Sequence, residues 1–102
     1  MASELFKQQS EFTGKIGDLI KFAYSKGYSL SLGDAYAKAG HCLNSKHYSR
    51  LAVDLNLFKD GVYLDKTEDH KPLGEYWESI GGTWGGRFRR KDGNHYSWGE
   101  KG

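Results

Sequence analysis

The stretch Ser45-Lys46-His47-Tyr48-Ser49-Arg50-Leu51-Ala52-Val53-Asp54 leads into the apolar run Leu51-Ala52-Val53-Asp54-Leu55-Asn56-Leu57-Phe58. Leu51, Val53, Leu55 and Leu57 alternate with Ala52, Asp54, Asn56 and Phe58, and this period of two predicts a half-buried strand. A carboxylate in such a strand loses much of its hydration and needs a cation, a metal or several donors in return. His47 lies just upstream, where the chain enters the strand, and Asp92-Gly93-Asn94-His95-Tyr96 brings a second Asp and His near the other end of the chain. Two histidines and an aspartate are the ligand types of a catalytic zinc site that keeps its fourth position for water.

Working outward from the strand, Lys59-Asp60-Gly61 is a turn signal, so Val62-Tyr63-Leu64 closes a hairpin. On the N-terminal side, Tyr28 to Leu32 alternates and predicts another strand ending at Gly33. Asp34 to Asn44 has no clear period and reads as a loop or a short turn of helix. Before these, Phe12, Ile16, Leu19, Ile20 and Ala23 fall at helical spacing, which predicts a core-packing helix over 11–26. Ser10 is placed to cap it and Gly27 to stop it, leaving residues 1–9 loose. Its basic face is too thin for a membrane-surface helix. Towards the C-terminus, Thr67 is placed to cap a helix to about Ile80. Pro72 sits near its start, Leu73, Tyr76, Trp77 and Ile80 form its apolar face, and Gly81-Gly82 ends it. Thr83 to Lys91 reads as a loop and His95 to Trp98 as a last short strand. The order predicts a single α+β domain over 1–102, a short antiparallel sheet with helices packed on it and the zinc site at the sheet.

Composition bounds the function. One domain of 102 residues, with five Phe, seven Tyr and three Trp, carries enough aromatic surface for one core, so disorder is not expected. A net charge of +2 is too small to make nucleic acid or an anionic membrane the main partner. The single Cys42 cannot form an internal disulfide. The N-terminal ten residues lack the basic start and apolar run of a secretory signal, and no stretch reaches the roughly 20 apolar residues of a membrane span. The expected site of synthesis is the cytoplasm, and a monomer is expected.

A hydrolytic zinc needs three protein ligands and a nearby base to take the water's proton and pass it to the leaving amine. His47, Asp54 and His95 meet the first need, and Asp92, across a Gly-Asn turn from His95, is placed to meet the second.

The Ser-x-His-x6-Asp stretch formed by Ser45, His47 and Asp54, with Ala52 two before the Asp, resembles the motif of the zinc D-alanyl-D-alanine carboxypeptidase family. Asp92 and His95 resemble its second, Asp-x-x-His motif. Within that family the chain is most similar to small phage-type members, including L-alanyl-D-glutamate endopeptidase endolysins. Leu51 to Leu64, the run Pro72-Leu73-Gly74-Glu75-Tyr76-Trp77 and Trp84-Gly85-Gly86-Arg87-Phe88 also look like that subgroup, so the likeness spans roughly Phe12 to Trp98. The resemblance implies zinc held by His47, Asp54 and His95, and Asp92 as catalytic base and acid. It implies hydrolysis of a peptide bond next to a D-amino acid or D-Glu in bacterial peptidoglycan stem peptides. The phage-like setting implies release to the cell wall through a separate membrane pore. Two positions depart from the family's pattern. Arg50 stands where Gly usually precedes the Leu-Ala pair, and Ala37 stands where many relatives carry an Arg that steadies the oxyanion, leaving Lys38, His41 or the metal to serve.

Other readings are set against this one. A D-Ala-D-Ala carboxypeptidase or dipeptidase acting on soluble precursors uses the same ligands, and a cell-wall or metal-binding module without catalysis would keep them and lose turnover. Cys42 beside His41 invites a cysteine hydrolase, but sequence neighbours point apart and no third, orienting group is evident. Ser45, Arg50, His41 and Arg87 are candidates for the substrate-binding rim. The cluster Arg87, Arg89, Arg90 and Lys91 reads as an anion site, with stem-peptide carboxylates as its partners. His70 reads as a solvated loop residue, Trp77 and Trp84 as packing residues, and Glu75 and Glu78 as a solvated helix face.

Overall fold

The computed structural model describes residues 3–34 and 49–99. Helix α1 spans Glu4–Ser25, and strand β1 (Tyr28–Leu32) follows it. The central strand β2 (Ala52–Lys59) turns into β3 (Val62–Leu64). A turn of 3-10 helix over Thr67–His70 leads into α2 (Lys71–Ser79), then β4 (Thr83–Trp84), a second 3-10 turn over Gly85–Arg87, and β5 (His95–Ser97). The strands form one five-stranded sheet in the order β1-β2-β5-β4, all pairs antiparallel, with β3 also on β2. The α+β architecture expected from the element order is the one observed.

The alternation along β2 sorts its side chains as expected. Val53, Leu55 and Leu57 are buried on the face that α1 and α2 cover, with Leu19 and Ala23 from α1 and Leu73 and Trp77 from α2. Trp77 is the hub of this core. Its ring meets Phe12 and Tyr96 edge-on at centroid distances of 6.0 and 6.3 Å, and its indole Nε1–H donates to Thr83 O and Ser97 O. The hairpin is set by Asp60 and Gly61, with φ of 52° and 78°, while Lys59 pairs with Val62. Two positive φ values in a two-residue loop match the right-handed strand twist, which is why Asp-Gly occurs there.

Three expectations about boundaries are corrected. Residues 3–9 are not loose and Ser10 is not the cap, while residues 1 and 2 lie outside the described residues. The helix already runs from Glu4, because Ser3 Oγ accepts the Phe6 N–H at 3.1 Å and Gln9 donates to Ser49 O at 2.8 Å. Thr67 opens a 3-10 turn rather than the α-helix itself. Pro72 has no N–H and its ring crowds the carbonyl four residues back, so regular α winding begins at Lys71. The end at Gly81-Gly82 is as expected. Gly81 at φ 104° donates to Glu78 O and Gly82 to Trp77 O, a Schellman closure. Thr83 and Trp84, expected in a loop, form β4 against Ser97 and Tyr96. Two residues are too few to show an alternating pattern.

Candidate metal centre and active site

Asp54 and His95 come together through strand register. They are direct partners across β2 and β5. Asp54 points both backbone groups the other way: its N–H donates to Asp34 O at 2.8 Å and its carbonyl accepts from Gly33 N–H at 2.7 Å. The Asp54–His95 pair is therefore a non-hydrogen-bonded one, the position in an antiparallel ladder where facing side chains come closest. Both side chains leave the sheet on the face opposite the Val53–Tyr96 pair, away from the helical core.

Asp92 reaches the same place through a turn. His95 N–H donates to Asp92 O, Asp92 N–H to Gly85 O, and Trp84 Nε1–H to Gly93 O at 2.7 Å. Gly85 and Gly93 are needed for close approach. A Cβ on Gly85 would stand 2.1 Å from Asp92 O and 2.8 Å from the His95 Cβ, and one on Gly93 would stand 2.6 Å from the Thr67 Cα. The Asp-x-x-His motif is thus clamped from both sides by backbone that no larger residue would admit.

The resulting group of Asp54, Asp92 and His95 offers one carboxylate or imidazole atom each, all within 4.8 Å of one another. His95 Nδ1 stands 3.9 Å from Asp54 Oδ1 and 4.0 Å from Asp92 Oδ2. These gaps are too long for hydrogen bonds, and they are a few tenths of an ångström above the roughly 3.3–3.6 Å that separates two ligand atoms sharing one tetrahedral ion at about 2.0–2.2 Å. The donor set fits zinc, since neutral imidazole and carboxylate are both zinc ligand types. Exposure distinguishes the three side chains. The Asp54 and His95 side chains are 19% and 9% exposed, whereas that of Asp92 is 51% exposed. Phe88 covers the His95 ring at a centroid distance of 5.2 Å.

Of the remaining residues singled out in the sequence, Ser45, His47, His41, Cys42 and Lys38 lie outside the described residues. Arg50 has φ 59°. This is the left-handed region, which costs an L side chain roughly 1–2 kcal/mol and in which glycine is at ease. Arg87 is tied down. Its Nε and one terminal nitrogen donate to the two Glu78 oxygens at 3.1 Å each, Glu75 is 3.9 Å away, and the guanidinium lies over Trp84. Those partners, Glu78 above all, hold its pKa above the ordinary value. Glu78 is accordingly an ion-pair partner rather than a merely solvated face.

His70 is the residue that the sequence reading misplaced. It is buried, with Nδ1 2.8 Å from the Tyr96 hydroxyl, directly behind the strand that carries His95. Burial pushes its pKa down to about 4, against the opposing pull of Asp69 and Asp92. Burial also pushes the Tyr96 hydroxyl up, so its proton is retained and the neutral imidazole can accept it. The signal was available in the spacing. His70 precedes Leu73 and Trp77 by three and seven residues and so continues the apolar face of α2.

A small antiparallel sheet that gathers two carboxylates and an imidazole at the end of its central strand defines a class: an α+β domain with a candidate hydrolytic metal centre. The particular family follows from comparison. Residues 38–98 match the family model described as D-alanyl-D-alanine carboxypeptidase, and the chain belongs to that family of zinc peptidases. Among solved structures, the crystal structure of Serratia marcescens L-Ala D-Glu endopeptidase ChiX is similar with a TM-score of 0.72. The match covers 97% of this chain and 89% of that one at 14% sequence identity, so it speaks to the fold. A search of curated proteins gave no match.

Proposed function

We propose that this protein is a zinc-dependent peptidase of bacterial peptidoglycan that cleaves stem peptides at an L-Ala–D-Glu bond, in the manner of a phage-type endolysin. The observation that carries the reading is the convergence of Asp54, Asp92 and His95, brought together by strand register and a clamped turn. The family membership and the fold shared with an L-Ala D-Glu endopeptidase support it. The whole chain acts as one domain and as a monomer on this reading, with no nucleic-acid or membrane partner, and reaches the wall through a separate membrane pore. No helix among the described residues is long and apolar enough to cross a membrane.

Asp54 and His95, with His47, would hold the zinc, which when bound supplies an acidified water and a polarised scissile carbonyl. Asp54 and His95 are sunk into the sheet and fixed by it, which suits ligands. Asp92 is the solvent-facing member, and its carboxylate takes a proton at one oxygen and returns it to the leaving amine. Phe88 shields one face of the His95 ring from water. Arg50, His41 and Ser45 belong to the rim that the substrate meets.

The test is turnover of purified peptidoglycan with and without a chelator, alongside native mass spectrometry of the parent, His47→Ala and Asp54→Ala. One zinc per chain and chelator-sensitive release of stem-peptide fragments are expected. A parent that binds no zinc when it is supplied would overturn the reading. Zinc without turnover would leave a metal-binding wall module. The description of the matched family favours a second reading, a D-Ala-D-Ala carboxypeptidase or dipeptidase. Hydrolysis of the free dipeptide in preference to intact wall would select it.

A further inference from the structure

The basic cluster of the sequence divides in two. Arg87 is neutralised by Glu78 and Glu75, whereas Arg89, Arg90 and Lys91 are exposed and, among the described residues, form no ion pair or side-chain hydrogen bond. The segment they occupy is closed at its base on a single acceptor. Gly85 O takes the Phe88 N–H at 3.1 Å and the Asp92 N–H at 2.9 Å. The same glycine backbone lies against His95, and Phe88, at the start of the loop, packs on the His95 ring. Consecutive Cα atoms are about 3.8 Å apart, so Lys91 and Arg90 begin within roughly 8 Å of the Asp92 Cα. The backbone of this exposed cationic segment is thus anchored next to Asp92, on a loop whose two ends are tied to the glycine that lies against His95.

Charges in this position favour a substrate that carries an anion next to the bond being cut. A glutamate residue linked into a peptide through one carboxyl keeps the other as a free carboxylate. Building on the peptidase reading above, we infer that the Arg89-Arg90-Lys91 loop is a specificity element that selects stem peptides whose D-Glu bears a free carboxylate over those in which it is a carboxamide. The occupant is the carboxylate of the substrate peptide. Arg forks pair with carboxylates through two parallel N–H···O bonds, and a carboxamide offers neither the charge nor the second acceptor. The loop acts on substrate choice. The ligands and Asp92 are separate from it.

The test uses two synthetic stem peptides of identical sequence, one with the D-Glu carboxylate free and one with it amidated. The zinc-loaded parent and the Arg89→Gln/Arg90→Gln/Lys91→Gln variant are assayed on both, with kcat and KM resolved and equilibrium binding measured by calorimetry. The parent should favour the free carboxylate about tenfold, mostly in KM, and the preference should shrink as salt is raised. In the variant the preference should collapse towards one. Arg90→Gln and Lys91→Gln singly should each remove part of it, which guards against a folding defect in the triple variant. A parent that treats the two peptides alike, or a variant that loses equally on both, overturns the inference. A deficit seen only on intact wall also overturns it, assigning the loop to an anionic polymer instead. If the parent cleaves neither peptide, the peptidase reading falls, and calorimetry still decides the loop. Carboxylate-selective binding that the variant loses would uphold it, and equal or absent binding would not.

Discussion

At Asp92 one carboxylate is left open to solvent while its neighbours are sunk into the sheet, and that contrast assigns different consequences to similar substitutions. Asp92→Asn keeps the shape and the turn but cannot take a proton. Turnover should fall by about 10²–10⁴-fold while zinc content, read by native mass spectrometry, stays near that of the parent. An Asp92→Asn enzyme with undiminished kcat would remove the proposed base. Asp54→Ala takes away a half-buried partner of His95, so metal and turnover should be lost together. Gly85→Ala tests the clamp rather than the chemistry. Its methyl would sit against Asp92 O and the His95 Cβ, so the Asp-x-x-His turn must shift. A displacement on the order of 1 Å is enough to cost about 10²-fold in rate. The circular dichroism spectrum should remain that of a folded protein.

Among the elements, α2 and β4 show how the site is supported from behind. Gly74 on α2 gives its space to the Trp84 indole, where a Cβ would lie 2.1 Å from the ring. Gly74→Ala therefore overpacks the joint between α2 and β4 and should cost about 1–3 kcal/mol, seen as a lower midpoint in urea unfolding. The elements were legible in the sequence to different degrees. The β2 alternation, the Asp60-Gly61 hairpin, the apolar face of α2 and its glycine stop are local signals, and the structure follows them. The start of α1 was not legible from apolar periodicity, because Leu5 and Phe6 stay exposed and the turn depends on the Ser3 cap and a distant Gln9 contact. β4 exists only because β5 lies beside it. For the site, Asp54, Asp92 and His95 stood out by residue type and spacing. The glycines that clamp the turn, and the burial of His70, depend on packing between segments far apart in the chain.

For the molecule as a whole, the buried His70 ties stability to pH. Its pKa in the folded state, about 4, lies below the ordinary 6.5, so the unfolded chain binds a proton that the folded protein refuses. Above pH 6.5 both states are neutral and nothing is lost. Between pH 6.5 and about 4, stability should fall by about 3 kcal/mol in total from this residue alone. Thermal unfolding followed across that range in the presence of a chelator, so that metal release does not contribute, should show the decline. His70→Gln, which cannot titrate, should show a flatter profile. An equally steep profile in His70→Gln would assign the acid lability elsewhere.

The pairing of Asp54 with His95 also has a temporal side. The β2–β3 hairpin is local and can close within microseconds, but β5 must return across the roughly 40 residues that separate Asp54 from His95 before the two stand opposite each other. On the proposed ligand set, the ion can be captured only after that last strand has docked. Metal uptake then becomes a clock for the final step of folding, and a chain cut short of residue 95 would remain chemically silent however well its hairpin had formed.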